Sequence, residues 1–332
     1  MLDSRRSEIL KALIEEYIRT GEPVSSQAVL DLSGLDVSSA TVRNDLAQLE
    51  SYGFVTQPHT SSGRIPTHQG YRFYVDHLSP ERLRQTTRNQ IDKFFQQVHR
   101  QISEVLRDTS TLVSELTAYP AVVVGPAAAN EVVTDIRLVP LGGTVVLAVA
   151  IAESGRVYQE FVDTEVAVDR DTLETAERLI AAAFQGNPLD KPDPDRLATS
   201  DLPAMVRRII RPVCEQLAGH ATGPREVYVG GTSQMASLWS DLSMVQHLLE
   251  LLDEEAALID LMSDGTDGLA VRIGPDLGDE SDLAVVATTY ETPSGSRGRM
   301  GVIGPMRMDY RRAIRVVERV SEGLESSFEA HQ

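Results

Sequence analysis

The sequence predicts an α+β protein: an N-terminal winged helix-turn-helix, a long linker helix, and an α+β domain interrupted by a mostly helical insertion. Three observations support this prediction. Residues 4–67 have the pattern of three short helices followed by a β-hairpin. Residues 81–117 repeat apolar side chains at alternating steps of four and three. Strand-like segments at 121–162 and 269–304 then enclose a mainly helical middle, as expected for one domain with an insertion.

Length and composition set the class of protein. The chain has 332 residues, and because domains usually span about 100–200 residues, we expect two or three compact units. The longest apolar stretches, such as residues 144–152, are far shorter than the roughly 20 residues of a membrane helix. The N-terminus lacks the apolar core of a secretory signal. A single cysteine, Cys214, excludes an intrachain disulfide. We therefore expect a cytoplasmic protein.

The charge balance limits how the chain can bind a polyanion. The net charge is −18, and residues 1–78 contain seven Lys/Arg and ten Asp/Glu, a net of −3. Nucleic-acid binders usually carry a basic face. Affinity for DNA must therefore come from a few well-placed cations, backbone amides and base contacts. We expect tight binding only when two copies act together.

The third helix has two contrasting faces. The first helix spans residues 4–20, the second begins at a serine N-cap and ends at Gly34, and the third covers 38–52. At about 100° per residue, Val42, Leu46 and Leu49 share the face predicted to be buried. The opposite face is small, polar and cationic, with Ala40, Arg43, Asn44, Ala47, Gln48 and Ser51.

This polar face suits the major groove of DNA. Ser38 and Ser39 at the helix N-terminus offer hydroxyl and N–H groups to a phosphate. Asn44 can pair with an adenine, Arg43 can reach a guanine or a phosphate, and Ala40 can touch a thymine methyl. The alternative is that the serine only caps the helix and the other side chains only face water. The two preceding helices and the following hairpin favour the DNA interpretation.

The hairpin at 54–67 is the predicted wing. Its tip places Gly63 beside Arg64, and His59, Thr60, Ser61 and Ser62 precede them. An arginine at a hairpin tip can follow a phosphate strand or enter the minor groove, and a glycine permits close approach. The alternative is a plain turn with one incidental charge. His59 and His68 have no partner at metal-ligand spacing, so we expect no metal here.

The linker helix has a heptad pattern, and the sequence does not show which surface this pattern packs against. Its repeat consists of Ile91, Phe95, Val98, Ile102, Val105, Thr109, Leu112 and Leu116. This stripe can pack on its own domain or against a second copy of the chain. We expect a dimer in either case, because two-fold dimers commonly read duplex operators as two half-sites.

The predicted domain boundaries follow from these patterns. The winged helix-turn-helix covers residues 1–78, the linker helix 79–117, and the α+β domain 118–165 and 245–332, with the insertion at 166–244. The chain contains no nucleophile elbow, phosphate loop, zinc-binding helix or dinucleotide motif. Gly230, Gly231 and Thr232 follow a strand, but two glycines are weak evidence for an anion site. We expect no enzyme activity and no cofactor.

Several segments resemble one bacterial family, the heat-inducible transcription repressors known as HrcA. The stretch VSSATVRNDLAQLESYG at 37–53 resembles winged-helix repressors generally, and QPHTSSGRIPTHQGYRFYVDHL at 57–78 is specific to this family. The resemblance continues through GEPVSSQAV at 21–29, DIRLVPL at 135–141, EVYVGGTS at 226–233 and GVIGPMRMDY at 301–310.

The resemblance implies more than the residue patterns do. It implies a GAF-like α+β domain, a dimerising insertion, and a homodimer bound to an inverted-repeat operator of chaperone genes, released by heat or unfolded protein. It also implies a GroEL-type chaperonin partner. The family's patterns fall on Ser38, Ser39, Thr41, Arg43 and Asn44 in the recognition helix, and on His59, Thr60, Gly63, Arg64, Ile65 and Pro66 in the wing. Ser62 departs from the usual alanine, and His68-Gln69 from an acidic-basic pair.

We therefore predict a sequence-specific repressor of heat-shock genes. The alternative is a metabolite-responsive winged-helix regulator whose GAF-like domain binds a ligand; an enzyme carrying a DNA-binding domain has little support. The predicted DNA contacts are Ser38, Ser39, Ala40, Thr41, Arg43, Asn44, Gln48, His59, Thr60, Ser62, Gly63 and Arg64.

Overall fold

We describe a computed structural model of the chain. The structure describes residues 2–59, 62–78, 83–97, 102–127, 131–153, 155–197, 202–220, 225–234, 242–263, 267–278, 282–292 and 295–329. The N-terminal unit contains α1 (Ser4–Thr20), α2 (Ser26–Ser33), α3 (Ser39–Ser51), the strands β1 (Val55–Thr56) and β2 (Ile65–Pro66), and α4 (His68–Asp76). This order confirms the predicted winged helix-turn-helix.

Buried apolar faces and caps explain why these helices form and where they stop. Leu10 and Leu13 of α1 pack in one core with Leu46 and Leu49 of α3, and all four side chains are fully buried. The side chains of Asp3, Ser25 and Ser38 accept backbone N–H groups at the starts of α1, α2 and α3. Three short helices are thereby held as one scaffold.

The linker pattern packs on its own chain. The structure describes α5 (Gln85–Gln97) and α6 (Ile102–Thr117), while Val98 of the predicted stripe lies outside the described residues. Ile91 and Phe95 belong to the same buried core as the terminal helix α12 (Tyr310–Glu329). The apolar face of α6 packs on three strands of the five-stranded sheet described next. Of the two predicted alternatives, packing on the chain's own domain or against a second copy, the structure shows the first.

The C-terminal domain is built on a five-stranded antiparallel sheet. Its strand order is β7 (Val227–Gly230), β3 (Ala121–Val124), β10 (Arg297–Pro305), β9 (Leu283–Glu291) and β8 (Ala270–Ile273). One face packs on α6 and α12. The other face packs on α10 (Leu242–Asp253) and α11 (Glu255–Met262). The predicted division into a winged helix-turn-helix and a separate mixed helix-and-sheet domain is confirmed.

A second sheet overturns part of the predicted organisation. The strands β4 (Val133–Gly142), β5 (Val145–Ala152) and β6 (Val157–Asp163) form their own antiparallel sheet. With α7 (Arg170–Phe184), α8 (Pro194–Leu197) and α9 (Ala204–Gly219) they surround a separate core. The expectation that all strands of 121–162 join those of 269–304 was wrong, because alternation predicts a strand but not its sheet.

We call residues 131–220 the insertion unit. The predicted boundary at 165 divides this unit, and β7, predicted to lie in the insertion, is instead an edge strand of the central sheet. An ion pair of 3.0 Å between Arg156 and Glu226 links the two parts. The Gly230 and Gly231 pair lies against α6: a Cβ on Gly230 would sit 2.4 Å from the Ser110 carbonyl oxygen. Close helix packing therefore accounts for that glycine.

The winged helix is docked on the C-terminal domain. A guanidinium nitrogen of Arg72 donates to the carbonyl of Val271 at 2.6 Å, and the buried rings of Tyr71 and Tyr310 lie 6.0 Å apart. One continuous core contains residues of both parts. None of the described helices combines the length and the hydropathy that crossing a bilayer requires.

Candidate nucleic-acid interface

The outward face of α3 is exposed as the helical period predicted. Ala40, Arg43, Asn44 and Gln48 are all exposed, whereas the apolar residues of the opposite face are fully buried. Two alanines, Ala40 and Ala47, flank Asn44 on this face without bulk. The backbone of α3 can therefore approach base edges closely, as a recognition helix must.

The start of α3 is a built N-cap. The Ser38 hydroxyl accepts the N–H of Thr41 at 3.1 Å and lies 2.9 Å from the Thr41 hydroxyl. Ser38 is exposed, and Ser39 and Thr41 are half-buried. Because the first N–H groups of a helix lack intrahelical partners, the positive end of α3 is available to a phosphate.

One residue that sequence reasoning missed orients α3. The Asp45 side chain is buried on the same helix, 2.8 Å from Nε of Arg5 and 3.1 Å from Nε of Arg6. The hydrogen bond to Asp45 raises the pKa of the exposed Arg5 guanidinium. These ion pairs join α3 to the start of α1 across about 40 positions. No local pattern carries that signal, because the partners meet only in the folded chain.

The glycine at position 63 is required by a contact inside the protein. Val24 and Arg64 exchange two backbone hydrogen bonds of 2.9 Å, which add a third short segment beside β1 and β2. A Cβ on Gly63 would lie 2.4 Å from the Val24 carbonyl. The close approach that glycine permits is therefore to Val24, a contact that the sequence did not indicate.

The tip of the wing is organised by Ser62. Its hydroxyl accepts the N–H of His59 at 3.0 Å and lies 2.7 Å from the His59 carbonyl, to which it donates. The amide of Gln57 donates to the Ser62 carbonyl at 2.8 Å. His59 is exposed, and Thr60 lies outside the described residues. The departure to serine at 62 therefore gives the turn an internal brace.

The placement of Arg64 differs from the expected arginine-tipped finger. Its guanidinium lies 3.0 Å from a carboxylate oxygen of Glu50 on α3, and its side chain is only 15% exposed. The pair ties the base of the wing to the recognition helix. α3 carries three charged side chains, and two of them, Asp45 and Glu50, are ion-paired with arginines. The third, Arg43, is exposed, so the solvent-facing side of α3 is positively charged.

These features define a class of protein. A three-helix scaffold, an exposed polar helix and an adjoining hairpin are the parts of a winged-helix DNA-binding protein. Residues 1–77 match the family model described as winged helix-turn-helix transcription repressor, HrcA DNA-binding, and residues 103–314 match the HrcA protein C terminal domain. The chain belongs to the HrcA family of heat-inducible transcription repressors. This is a family of repressors and not of enzymes.

Full-length relatives support the same assignment. The chain is 33% identical to the heat-inducible transcription repressor HrcA of Symbiobacterium thermophilum, with 98% of each chain covered. It is 37% identical to that of Acidothermus cellulolyticus, over 93% of this chain and 94% of the relative. A crystal structure of a protein described as hypothetical aligns over 100% of both chains, with a TM-score of 0.65 and 25% identity. The predicted family and repressor function are confirmed.

Proposed function

We propose that two copies of the chain occupy the half-sites of an inverted-repeat operator of chaperone genes. Each α3 lies in a major groove and each wing follows the flanking backbone. Heat or unfolded protein empties the operator. The exposed polar face of α3, held on a buried scaffold, is the observation that carries this proposal. The protein acts in the cytoplasm, at the nucleoid while bound.

The proposed DNA contacts differ with the position of each residue in the winged helix. Asn44 and Arg43 read base edges, with Ala40 and Gln48 beside them on the same face. The N-terminal end of α3, at Ser38, Ser39 and Thr41, holds a phosphate through backbone N–H groups. From the wing, His59 and Thr60 reach the backbone, while Ser62, Gly63 and Arg64 set its shape.

The open face of the insertion-unit sheet supports the homodimer. Leu147 of β5 pairs in register with Val139 on one side and Phe161 on the other, which forms a continuous apolar row. Phe161 is 64% exposed, Leu141 52% and Val139 43%. The other face of this sheet covers the unit's own core. An apolar sheet face of this kind is typical of a protein interface, so we place the second copy here.

The dimer is tested by placing a charge in that row. Phe161→Glu buries a carboxylate in the proposed contact, and we expect sedimentation velocity to show monomers and operator affinity to fall at least tenfold. Leu249→Glu, at an exposed leucine of α10 outside this sheet, should leave both unchanged. A Phe161→Glu protein that stays dimeric would remove this surface from the proposal.

Operator class and release are tested together. Duplexes selected from a random pool should be palindromic, and the complex should contain two chains. A marginally stable fold loses much of its active fraction for a change of about 1–2 kcal/mol. Heating the purified complex through a heat-shock range should therefore release the DNA, and a GroEL-type chaperonin should delay the release. Unchanged occupancy over that range without chaperonin contradicts release by loss of stability.

A further inference from the structure

A cleft of about 400 Å³ separates the first turns of α5 and α12. We call it the arginine cleft. The α5 side contributes Arg84 with the hydroxyl residues Thr86 and Thr87, and the α12 side contributes Arg311, Arg312 and Arg315. It lies where the linker leaves the winged helix and meets the C-terminal domain. It is therefore separate from the packed faces of the central sheet.

The charge in this cleft contrasts with the rest of the chain. In a protein of net charge −18, four of the described arginines line one cleft. Arg311 is paired with Glu15, and Arg315 lies 2.7 Å from Glu318. Arg84 and Arg312 are exposed, and among the described residues no carboxylate lies within ion-pair distance of either. Within the described part of the chain, Arg84 and Arg312 are therefore the two arginines of the cleft that a ligand can contact without displacing a carboxylate.

Two helices also point their N-termini into the cleft. α5 begins at Gln85 and α12 at Tyr310, and both helices are longer than three turns. Asp309 is the acidic residue among the described residues that line the cleft, and its carboxylate accepts the N–H of Arg312 at 3.1 Å. Helix N-termini and arginines both favour phosphate oxygens, and small-molecule sites usually measure about 300–1,000 Å³.

We propose that the arginine cleft binds a small, multiply charged phosphate anion of the size of a nucleoside di- or triphosphate. Arg84 and Arg312 contact the phosphates, and the threonine hydroxyls supply further donors. The proposed site would make the protein a metabolite-responsive regulator, the alternative function considered above. Its ligand would bind at the junction of the two domains, whereas the sequence predicted for this alternative a ligand site inside the GAF-like domain.

The cleft is coupled to the winged helix through Arg311. Its guanidinium pairs with Glu15 of α1 and lies 5.9 Å from the ring centre of Tyr74 in α4. An anion that attracts Arg311 competes with Glu15 and so loosens the docked winged helix. This regulatory consequence rests on the proposed repressor function, whereas the binding itself does not.

Calorimetric titration of the full chain with inorganic phosphate, pyrophosphate and ATP tests the site. We expect one saturable site per chain, and at least tenfold weaker binding in Arg84→Gln and in Arg312→Gln. Arg170→Gln, which removes an exposed arginine of the insertion unit, should bind like the parent. Tighter binding of ATP than of tripolyphosphate, titrated as the reference with the same number of phosphates, identifies a nucleotide as the ligand, and equal binding identifies the phosphate chain alone.

Two results would overturn the proposal. The first is the absence of saturable binding of every probe, and the second is unchanged affinity in both cleft variants. If the cleft variants instead lose affinity for random duplex DNA while no probe binds, the arginines contact the DNA backbone and the proposal is wrong. Operator binding by the parent without any anion is measured in parallel, so failure of the repressor proposal is seen separately.

Discussion

The exposed amide of Asn44 allows the most direct test of the proposed base reading by α3. It is exposed on α3 between Ala40 and Ala47, and an amide in this position can pair with an adenine in two hydrogen bonds. We expect Asn44→Ala to cost about 1–3 kcal/mol of binding free energy on the selected operator and much less on random duplex. Fluorescence anisotropy titrations measure both. Asn89→Ala on α5 is the matched control, and equal losses on both DNAs would refute base reading by Asn44.

Two neighbouring tyrosines at the domain contact differ in one hydrogen bond. The Tyr310 hydroxyl donates to the Met306 carbonyl at 2.6 Å, whereas the buried Tyr71 hydroxyl has no hydrogen-bond partner among the described residues. Burial raises the pKa of both phenols. Both therefore stay neutral and enter the packing as uncharged rings.

This difference predicts that the same substitution affects the two positions differently. Tyr310→Phe should lower the free energy of unfolding by about 0.5–1.5 kcal/mol, because a partly buried hydrogen bond is lost and the Met306 carbonyl loses this donor. Tyr71→Phe should leave stability unchanged or raise it, because only an unpaired hydroxyl is removed. Urea unfolding of the two variants measures this, and a greater loss in Tyr71→Phe would show that its hydroxyl is bonded in solution.

At the scale of elements, the wing and the recognition helix act as a pair. The ion pair between Arg64 and Glu50 and the backbone bridge from Val24 hold the wing beside α3. Neither Arg64 nor Glu50 lies at the wing tip. The wing is therefore positioned by its base, which is consistent with the proposed DNA contact at its tip.

Paired variants separate anchoring from a phosphate contact. If Arg64 anchors the wing, Arg64→Ala and Glu50→Gln should weaken operator binding alike and leave its salt dependence nearly unchanged. A phosphate contact by Arg64 would instead reduce the salt slope by about 1 in Arg64→Ala alone. Titrations at several salt concentrations distinguish the two. A reduced slope confined to Arg64→Ala would restore the phosphate contact that the sequence predicted.

At the scale of the molecule, the described residues form three separate hydrophobic cores. One core joins the winged helix to a face of the central sheet, one lies on the opposite face, and one belongs to the insertion unit. Leu46 in the winged helix and Leu324 in α12 share the first core, and Ile180 lies in the third. The winged helix and α12 should therefore unfold together, with the insertion unit separate.

Calorimetry of core variants tests this division. Leu46→Ala and Leu324→Ala should each lower the stability of the same transition by about 2–5 kcal/mol, because each leaves a cavity in a buried site. Ile180→Ala should act on a different transition. A single transition that all three variants shift equally would show that the molecule unfolds as one cooperative unit.

The sequence by itself determined the elements of the reading head and the face that α3 exposes. The 3.6-residue period placed Val42 inside and Asn44 outside, and serine caps and glycine stops set the helix ends to within a few residues. The heptad stripe showed that Ile91 and Leu112 are buried. These are local properties, since each depends on residues a few positions apart.

Only the tertiary structure decided which elements meet. It placed β4 to β6 in their own sheet, paired Asp45 with Arg5 and Arg64 with Glu50, and brought Arg84 and Arg312 to one cleft. The physical reason is that apolar periodicity specifies a buried face but not its partner. Contacts between residues far apart in the chain depend on how whole elements pack, and one sequence without its fold carries no local record of that packing.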